Sequence, residues 1–333
     1  MLTIALIDRF FFLVSVITNA ALIGASCGTL SVPIGHYKYL HIQFALFNIL
    51  HSICHVIAKP RFHQMGLHFL IVSEVKEYYI GAQVTRFVLC ALCGFYTGSL
   101  AIFGVHFYYR YTAMENTNVK LKRKTPILVA IPIIASISWS ALLLLFFGGT
   151  DEVDKLIGST AVRPPIDISN TSSIVYFETS YFDANYGVAW HRVLALCWYW
   201  FMMLGSLFVV VRYLLKSRNL LINTHSTSSS NVSPRHSAVS NVFKQEHKQY
   251  LGALVFQIAI STILLYFPVF LVALLCFLGS DIGFLSLALN FTIGVYPAFD
   301  PIPTFLIVRS FRIKLFSAFR CCAERDYVTT TSF

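Results

Sequence analysis

The chain has 333 residues, of which 56% are hydrophobic and only 12% charged, and its mean hydropathy is +0.68. Soluble domains carry about 25% charged residues, so a water-soluble core cannot absorb this much apolar surface, and a soluble protein is excluded. The formal net charge of +10 does not indicate nucleic-acid binding, because no basic run is interleaved with a soluble-domain pattern.

The apolar runs are continuous rather than alternating, which points to spanning helices and not to a membrane β-barrel. Seven runs have spanning length. They predict an all-α, seven-transmembrane helix bundle, with spans at about 10–30, 39–58, 87–109, 126–147, 193–215, 251–277 and 284–308. Residues 1–308 form the membrane domain in this reading, and 309–333 form a tail. The first run follows only Asp8 and Arg9 and is too long for the core of a cleaved signal peptide, so it reads as an uncleaved span. The second run ends at Lys59-Pro60-Arg61. The segment Phe62–Arg86 holds an apolar patch, Leu67–Val72, too short to cross.

The third run, FVLCALCGFYTGSLAIFGVHFYYRY, has no acid and no Lys and stops at Arg110. A basic linker with Lys120, Lys122, Arg123 and Lys124 follows. Pro126 opens the fourth run, where its missing N–H costs nothing. A long polar stretch, Thr150–Ala189, precedes the fifth. Lys216–Gln249 is Ser-rich and too polar to fold alone. Pro268 lies in the sixth run; Pro297, Pro301, Pro303 and Asp300 lie in the seventh.

Charge sets the expected orientation. With the N-terminus extracellular and the C-terminus cytoplasmic, 17 Lys and Arg fall inside against 8 outside, as the positive-inside rule requires. Asn170-Thr171-Ser172 then lies in an external loop, as a glycosylation acceptor at Asn170 would. The eight Cys sit in apolar runs or in the tail, so they form no disulfide framework and no zinc pattern. Cys321 and Cys322 follow a basic, amphipathic segment suited to the membrane surface, where palmitoylation is plausible chemistry.

Asp300 is the only carboxylate well inside a span, and an ionisable group there is costly enough to mark a functional site. Asn19 is a candidate polar partner; a static kink is the alternative. Pro268 kinks the sixth span, as a hinge or as a fixed bend. Arg110 reads either as an anchor that snorkels to the interface or as a signalling contact. His51 and His55 are four apart, as metal ligands can be, but lie on the wrong side for a desaturase-type cluster. No Ser-His-Asp set, P-loop or dinucleotide loop is legible, so no catalytic residue, metal or cofactor is expected.

Three segments, GHYKYL near Gly35, HFYYRY at His106–Tyr111 and YPAFDPIPTFLIVRSFR at Tyr296–Arg312, make the chain resemble the nematode seven-transmembrane chemoreceptors of the serpentine Str class. The resemblance implies a G-protein-coupled chemosensory, odorant-type receptor in the plasma membrane, at a sensory-neuron cilium. Its partners would be a small-molecule cue, a heterotrimeric G protein and the lipid bilayer. Arg110, flanked by Tyr109 and Tyr111, occupies the place of the arginine in the Asp-Arg-Tyr motif of rhodopsin-like receptors. Asp300-Pro301 resembles their seventh-helix Asn/Asp-Pro. With Tyr109 in place of an acid, Arg110 needs another partner, for which Glu246 is the candidate, and Pro268 joins the expected switch. The second external loop has no Cys to pair with Cys90. A ligand is expected in the outer half of the bundle, near Phe95, Tyr96, Trp198, Tyr199, Phe267 and Phe270. The alternative is a polytopic transporter or channel, which predicts several polar residues along one path where only Asp300 is found.

Overall fold

The structure is a computed structural model that describes residues 2–27, 36–65, 68–74, 81–115, 118–149, 174–179, 187–226, 234–277 and 283–317. Five long helices come first: α1 (Leu2–Cys27), α2 (Tyr37–Ala58), α3 (Ala82–Glu115), α4 (Asn118–Phe146) and α5 (Trp190–Ser226). The sixth span is broken in three. Helix α6 (Pro234–Ser261) runs into a π turn (Thr262–Tyr266), and α7 (Phe267–Phe277) continues from it. The seventh consists of α8 (Gly283–Phe299), a turn at Asp300 and Pro301, and α9 (Ile302–Ile307). After Val308 the chain turns by 101° into α10, Arg309–Ser317. Among the described residues, six helices are long and apolar enough to cross a membrane, and the bent last pair, taken as one span, supplies a seventh.

The Ser-rich stretch between the fifth and sixth runs is more helical than its composition predicts: α5 continues to Ser226 and α6 begins at Pro234. Once a helix is nucleated by a packed span, each further residue adds a hydrogen bond at small entropic cost.

Helix α3 is the axis of the bundle and packs against α2, α4, α5 and α6. Its burial is continuous from Tyr96 to Phe107, which an all-round apolar sequence allows. Small residues bring α3 against α4. A Cβ on Gly98 would stand 2.5 Å from Phe47 Cε1 and 3.0 Å from the Pro132 carbonyl; one on Gly94 would stand 2.8 Å from the Ser136 carbonyl. The close approach is tied by Ser140 Oγ, which donates to the Cys90 carbonyl at 3.0 Å. Cys90 is buried and unpaired. Between membrane helices such packing and hydrogen bonds replace the hydrophobic effect, because lipid is as apolar as Leu. On the outer faces, Ile134, Leu145, Leu194 and Phe208 are left exposed to the lipid side.

The patch Leu67–Val72, too short to cross, contributes to a strand. Lys59 ends α2 in the left-handed region (φ 42°), its N–H bonded to the His55 carbonyl. The chain then enters β1 (Arg61–Met65) and β2 (His68–Glu74), and β3 (Ile174–Thr179) joins from the long polar stretch. The three strands form one antiparallel sheet in the order β1-β2-β3, with Phe62 opposite Ile71 and Ile71 opposite Phe177. This sheet caps one end of the bundle, here called the sheet end; Arg110 marks the opposite, arginine end.

Candidate functional site

At the sheet end a cavity of about 150 Å³ opens between the helices and the sheet. The sheet side supplies Pro60, Phe62, Phe69, Ile71 and Thr179; α3 supplies Leu92, Cys93 and Tyr96; α4 supplies Trp139. Leu196, Tyr199 and Trp200 come from α5, Val269, Val272 and Ala273 from α7, and Leu289 and Ile293 from α8. None of these residues is charged. An apolar space of this size holds a molecule of about benzene size, and a concave apolar wall with a few polar groups is the usual form of a small-molecule site.

The sheet is fixed over the cavity by a buried charge cluster. Glu178 on β3 is almost fully buried and accepts from His68 Nδ1 at 2.8 Å and from Arg192 Nη1 at 3.1 Å. Arg192 also donates through Nε to the Phe146 carbonyl at 3.2 Å, which ties β2, β3, α4 and α5 together. Satisfied hydrogen bonds on both partners are what make a buried ion pair tolerable. On β1, burial, with Arg61 nearby, pushes His63 below the usual imidazole range.

Mid-bundle, a polar network surrounds Asp300, which is 0% exposed. Its Oδ2 accepts from Tyr296 at 2.7 Å and from Asn48 Nδ2 at 3.2 Å. Asn48 Nδ2 also reaches Asn19 Oδ1 at 3.2 Å. Pro301 has no N–H for the Pro297 carbonyl, and Asn19 Nδ2 supplies one at 3.0 Å. Gln257 Nε2 donates to the Asp300 carbonyl at 2.8 Å, and Thr304 Oγ1 lies 3.3 Å from the same nitrogen. Asn19 thus braces the backbone next to Asp300, while the carboxylate's direct partners are Asn48 and Tyr296.

At the arginine end, Arg110 is only 6% exposed. Its guanidinium carbon lies 3.5 Å from the ring centre of Tyr37 on α2 and 3.7 Å from that of Tyr250 on α6. Nε and Nη2 have no hydrogen-bond partner among the described residues. The cation is held by two aromatic faces, an attraction strengthened by desolvation. Tyr37 OH lies 3.1 Å from His106 Nδ1, and the Tyr109 ring lies 5.0 Å from that of Tyr37. Phe311 of α10 closes the cluster against His41 and Tyr250. Lys314 Nζ donates to the Ala25 carbonyl of α1 at 2.8 Å, which fixes α10 under the bundle.

The family model described as the serpentine type 7TM GPCR chemoreceptor Str matches residues 4–316. The chain belongs to that family. It is 25% identical over 300 residues to serpentine receptor class r-10 of Caenorhabditis elegans, covering 89% of this chain and 84% of that protein. It is also 25% identical over 312 residues to the G-protein coupled receptor str-217 of the same organism, covering 91% and 86%. The crystal structure of squid rhodopsin shares the fold, with a TM-score of 0.63 over 96% of this chain and 85% of that one, at 11% identity. The protein is therefore a seven-transmembrane, multi-pass membrane protein of a chemoreceptor family.

Of the six residues expected around a ligand, Tyr96 and Tyr199 line the cavity. The other four lie elsewhere. Trp198, Phe267 and Phe270 are 40%, 60% and 50% exposed on the lipid side, and Trp198 Nε1 donates to Ser138 Oγ of α4. Phe95 faces Phe47, ring centres 5.5 Å apart, in a groove between α3 and α4. The helical phase of α5 and α7 turns these large aromatics outward, where lipid accepts them as readily as a core does. Pro268 is buried just after the π turn, and Pro301 is buried at the start of α9. Tyr109 packs on Tyr37, whereas Tyr111 packs, tilted, against Tyr213 of α5.

The Glu246 side chain, Asn170, Cys321 and Cys322 lie outside the described residues. Sequence reasoning missed Tyr250, Asn48, Gln257 and the Glu178 cluster. Asn48 and Gln257 carried a usable signal, as lone amides in apolar runs. Glu178 did not, since it stands among other acids in a polar loop.

Proposed function

We propose that this protein is a chemosensory receptor that binds a small, neutral odorant-type molecule in the cavity beneath the sheet and activates a heterotrimeric G protein through the arginine end. The sheet end faces outside, as the excess of Lys and Arg at the other end favours, and the plasma membrane of a sensory neuron is its place of work. The observation that carries the reading is the state of Arg110. A buried guanidinium with two nitrogens that have no partner among the described residues, packed against the rings of Tyr37 on α2 and Tyr250 on α6, is a cation ready to meet a new acceptor. Withdrawing Tyr250 with α6 removes half of its clamp and opens the site to a partner protein.

The ligand acts by binding the α6-withdrawn state more tightly than the closed one, since only differential affinity shifts the equilibrium. The membrane domain comprises 1–308, with 309–333 as the tail, and the receptor is not an enzyme. Asn170 is proposed to carry a glycan, and Cys321 and Cys322 to carry acyl chains. The test is nucleotide exchange on a co-expressed heterotrimeric G protein, with a panel of benzene-sized neutral molecules. Exchange is expected for some members and is expected to be lost in Arg110→Gln at equal surface expression. Solute flux across the membrane without nucleotide exchange would overturn the reading in favour of a transporter.

A further inference from the structure

We propose that Tyr96 is the residue that reads the ligand, and that it selects molecules carrying a hydrogen-bond acceptor. The proposal rests on the cavity reading above and adds to it a chemical class and a trigger. Tyr96 has two roles at once. Its side chain forms part of the cavity wall, and its hydroxyl donates to the Leu265 carbonyl at 3.1 Å. Leu265 is buried in the π turn of the sixth span, one residue before the turn's last residue, Tyr266.

The backbone there is short of donors. Phe267 N–H reaches back five residues to the Thr262 carbonyl, and Pro268 has no N–H to give. The N–H missing at Pro268 would have served Leu264 or Ile263; Tyr96 on the neighbouring helix α3 adds a separate tie from outside the span, at the next carbonyl, Leu265. Thr179, another polar group in the wall, is committed elsewhere, since its hydroxyl donates to the Phe69 carbonyl at 3.1 Å within the sheet. The wall has no charge to meet an ionic ligand.

A phenol has one O–H to donate. A ligand oxygen or nitrogen that accepts it takes it away from Leu265. The π turn then loses its tie to α3, and α6 is free to swing at the arginine end. A hydrocarbon of the same shape fills the cavity and leaves the bond in place. The Tyr199 hydroxyl also lies in the wall, within hydrogen-bond reach of that of Tyr96, but only the Tyr96 O–H ties the wall to the Leu265 carbonyl among the described contacts. Binding is thereby provided by the apolar wall and triggering by the Tyr96 O–H. A neutral, benzene-sized molecule with a carbonyl, ether or ring-nitrogen acceptor is the class expected to activate.

The experiment uses the full chain in lipid nanodiscs. Spin labels at Glu115→Cys and Lys248→Cys, both exposed at the arginine end of α3 and α6, report the separation of the two helices in a background with the other reactive thiols replaced. Without ligand, Tyr96→Phe is expected to raise the separated population several-fold, the loss of one hydrogen bond worth about 0.5–1.5 kcal/mol. An unchanged distance distribution in a folded Tyr96→Phe receptor overturns the proposal.

A second arm needs no variant. Anisole is compared with ethylbenzene, and cyclohexanone with methylenecyclohexane, on the wild-type chain, with binding read by saturation-transfer NMR. The acceptor of each pair is expected to separate the helices and the hydrocarbon to bind without doing so. Equal separation by both members overturns the selection by Tyr96 but leaves the cavity reading standing. If no member binds, and Ala273→Trp, which fills the cavity, changes no response to any ligand, the cavity reading falls and the acceptor selection falls with it. The unliganded Tyr96→Phe distribution still decides whether the bond holds the span.

Discussion

The sixth and seventh spans are both broken by proline, and they are repaired differently. At Asp300-Pro301 the break is braced by several helices. Asn19 of α1 takes the Pro297 carbonyl, Gln257 of α6 takes the Asp300 carbonyl, and Asn48 of α2 and Tyr296 hold the carboxylate. At Pro268 the described side-chain brace to the π-turn backbone from another helix is the single hydroxyl of Tyr96. A break satisfied from three neighbours is stiff, because moving it costs several bonds together. A break held by one bond is a hinge. The comparison assigns the seventh span to the static frame and the sixth to the moving part, and it places the hinge beside the cavity.

The largest effect should come from the braced break. Asn48→Leu leaves the Asp300 carboxyl and Asn19 short of a buried partner, which costs about 1–3 kcal/mol. Thermal unfolding of the purified receptor should move down accordingly, and an unchanged midpoint would remove the argument that the network stiffens the span. Next in size is Tyr250→Leu, which strips one face from the Arg110 clamp. A desolvated cation–π contact is worth about 2 kcal/mol, so ligand-free nucleotide exchange should rise; exchange at the wild-type level would mean the clamp does not hold the resting state.

Gln257→Leu is expected to be milder, about 1 kcal/mol for one net hydrogen bond, and to appear in stability rather than in signalling. If it raised basal exchange instead, the seventh-span break would be part of the switch and the contrast between the two spans would be lost. The smallest effect on stability belongs to Pro268→Ala, which restores a backbone N–H and should keep or raise the unfolding midpoint. Its signature is functional: ligand-driven separation of α3 and α6 should weaken, and a full response would show that the hinge does not need the proline.

Much of this was legible in residues. The seven apolar runs, the basic flanks and the lone Asp300 followed from hydropathy and charge, since a bilayer imposes those patterns on any spanning chain. Six aromatics are expected alike around a ligand; Tyr96 and Tyr199 line the cavity, and nothing in the sequence separates them from Phe95, Trp198, Phe267 and Phe270. In a membrane both faces of a helix are apolar, so the amphipathic period that marks an inward face in a soluble protein is missing. The strands were hidden for a related reason: β1 and β2 are short and find β3 about a hundred residues away. No local window holds that pairing.

By itself, then, the sequence determined that the chain crosses a membrane in seven helices, where the breaks fall, and that an arginine ends the apolar run of the third helix. Those are properties of single segments measured against lipid and water. The tertiary structure alone decided which groups answer each break. It put the rings of Tyr37 and Tyr250 against Arg110, Asn48 rather than Asn19 on the Asp300 carboxylate, and the Tyr96 hydroxyl on Leu265. Partners far apart in the chain meet only through the crossing angles and rotations of packed helices, and those are set by side-chain volumes acting together, such as the glycines that seat α3 against α4.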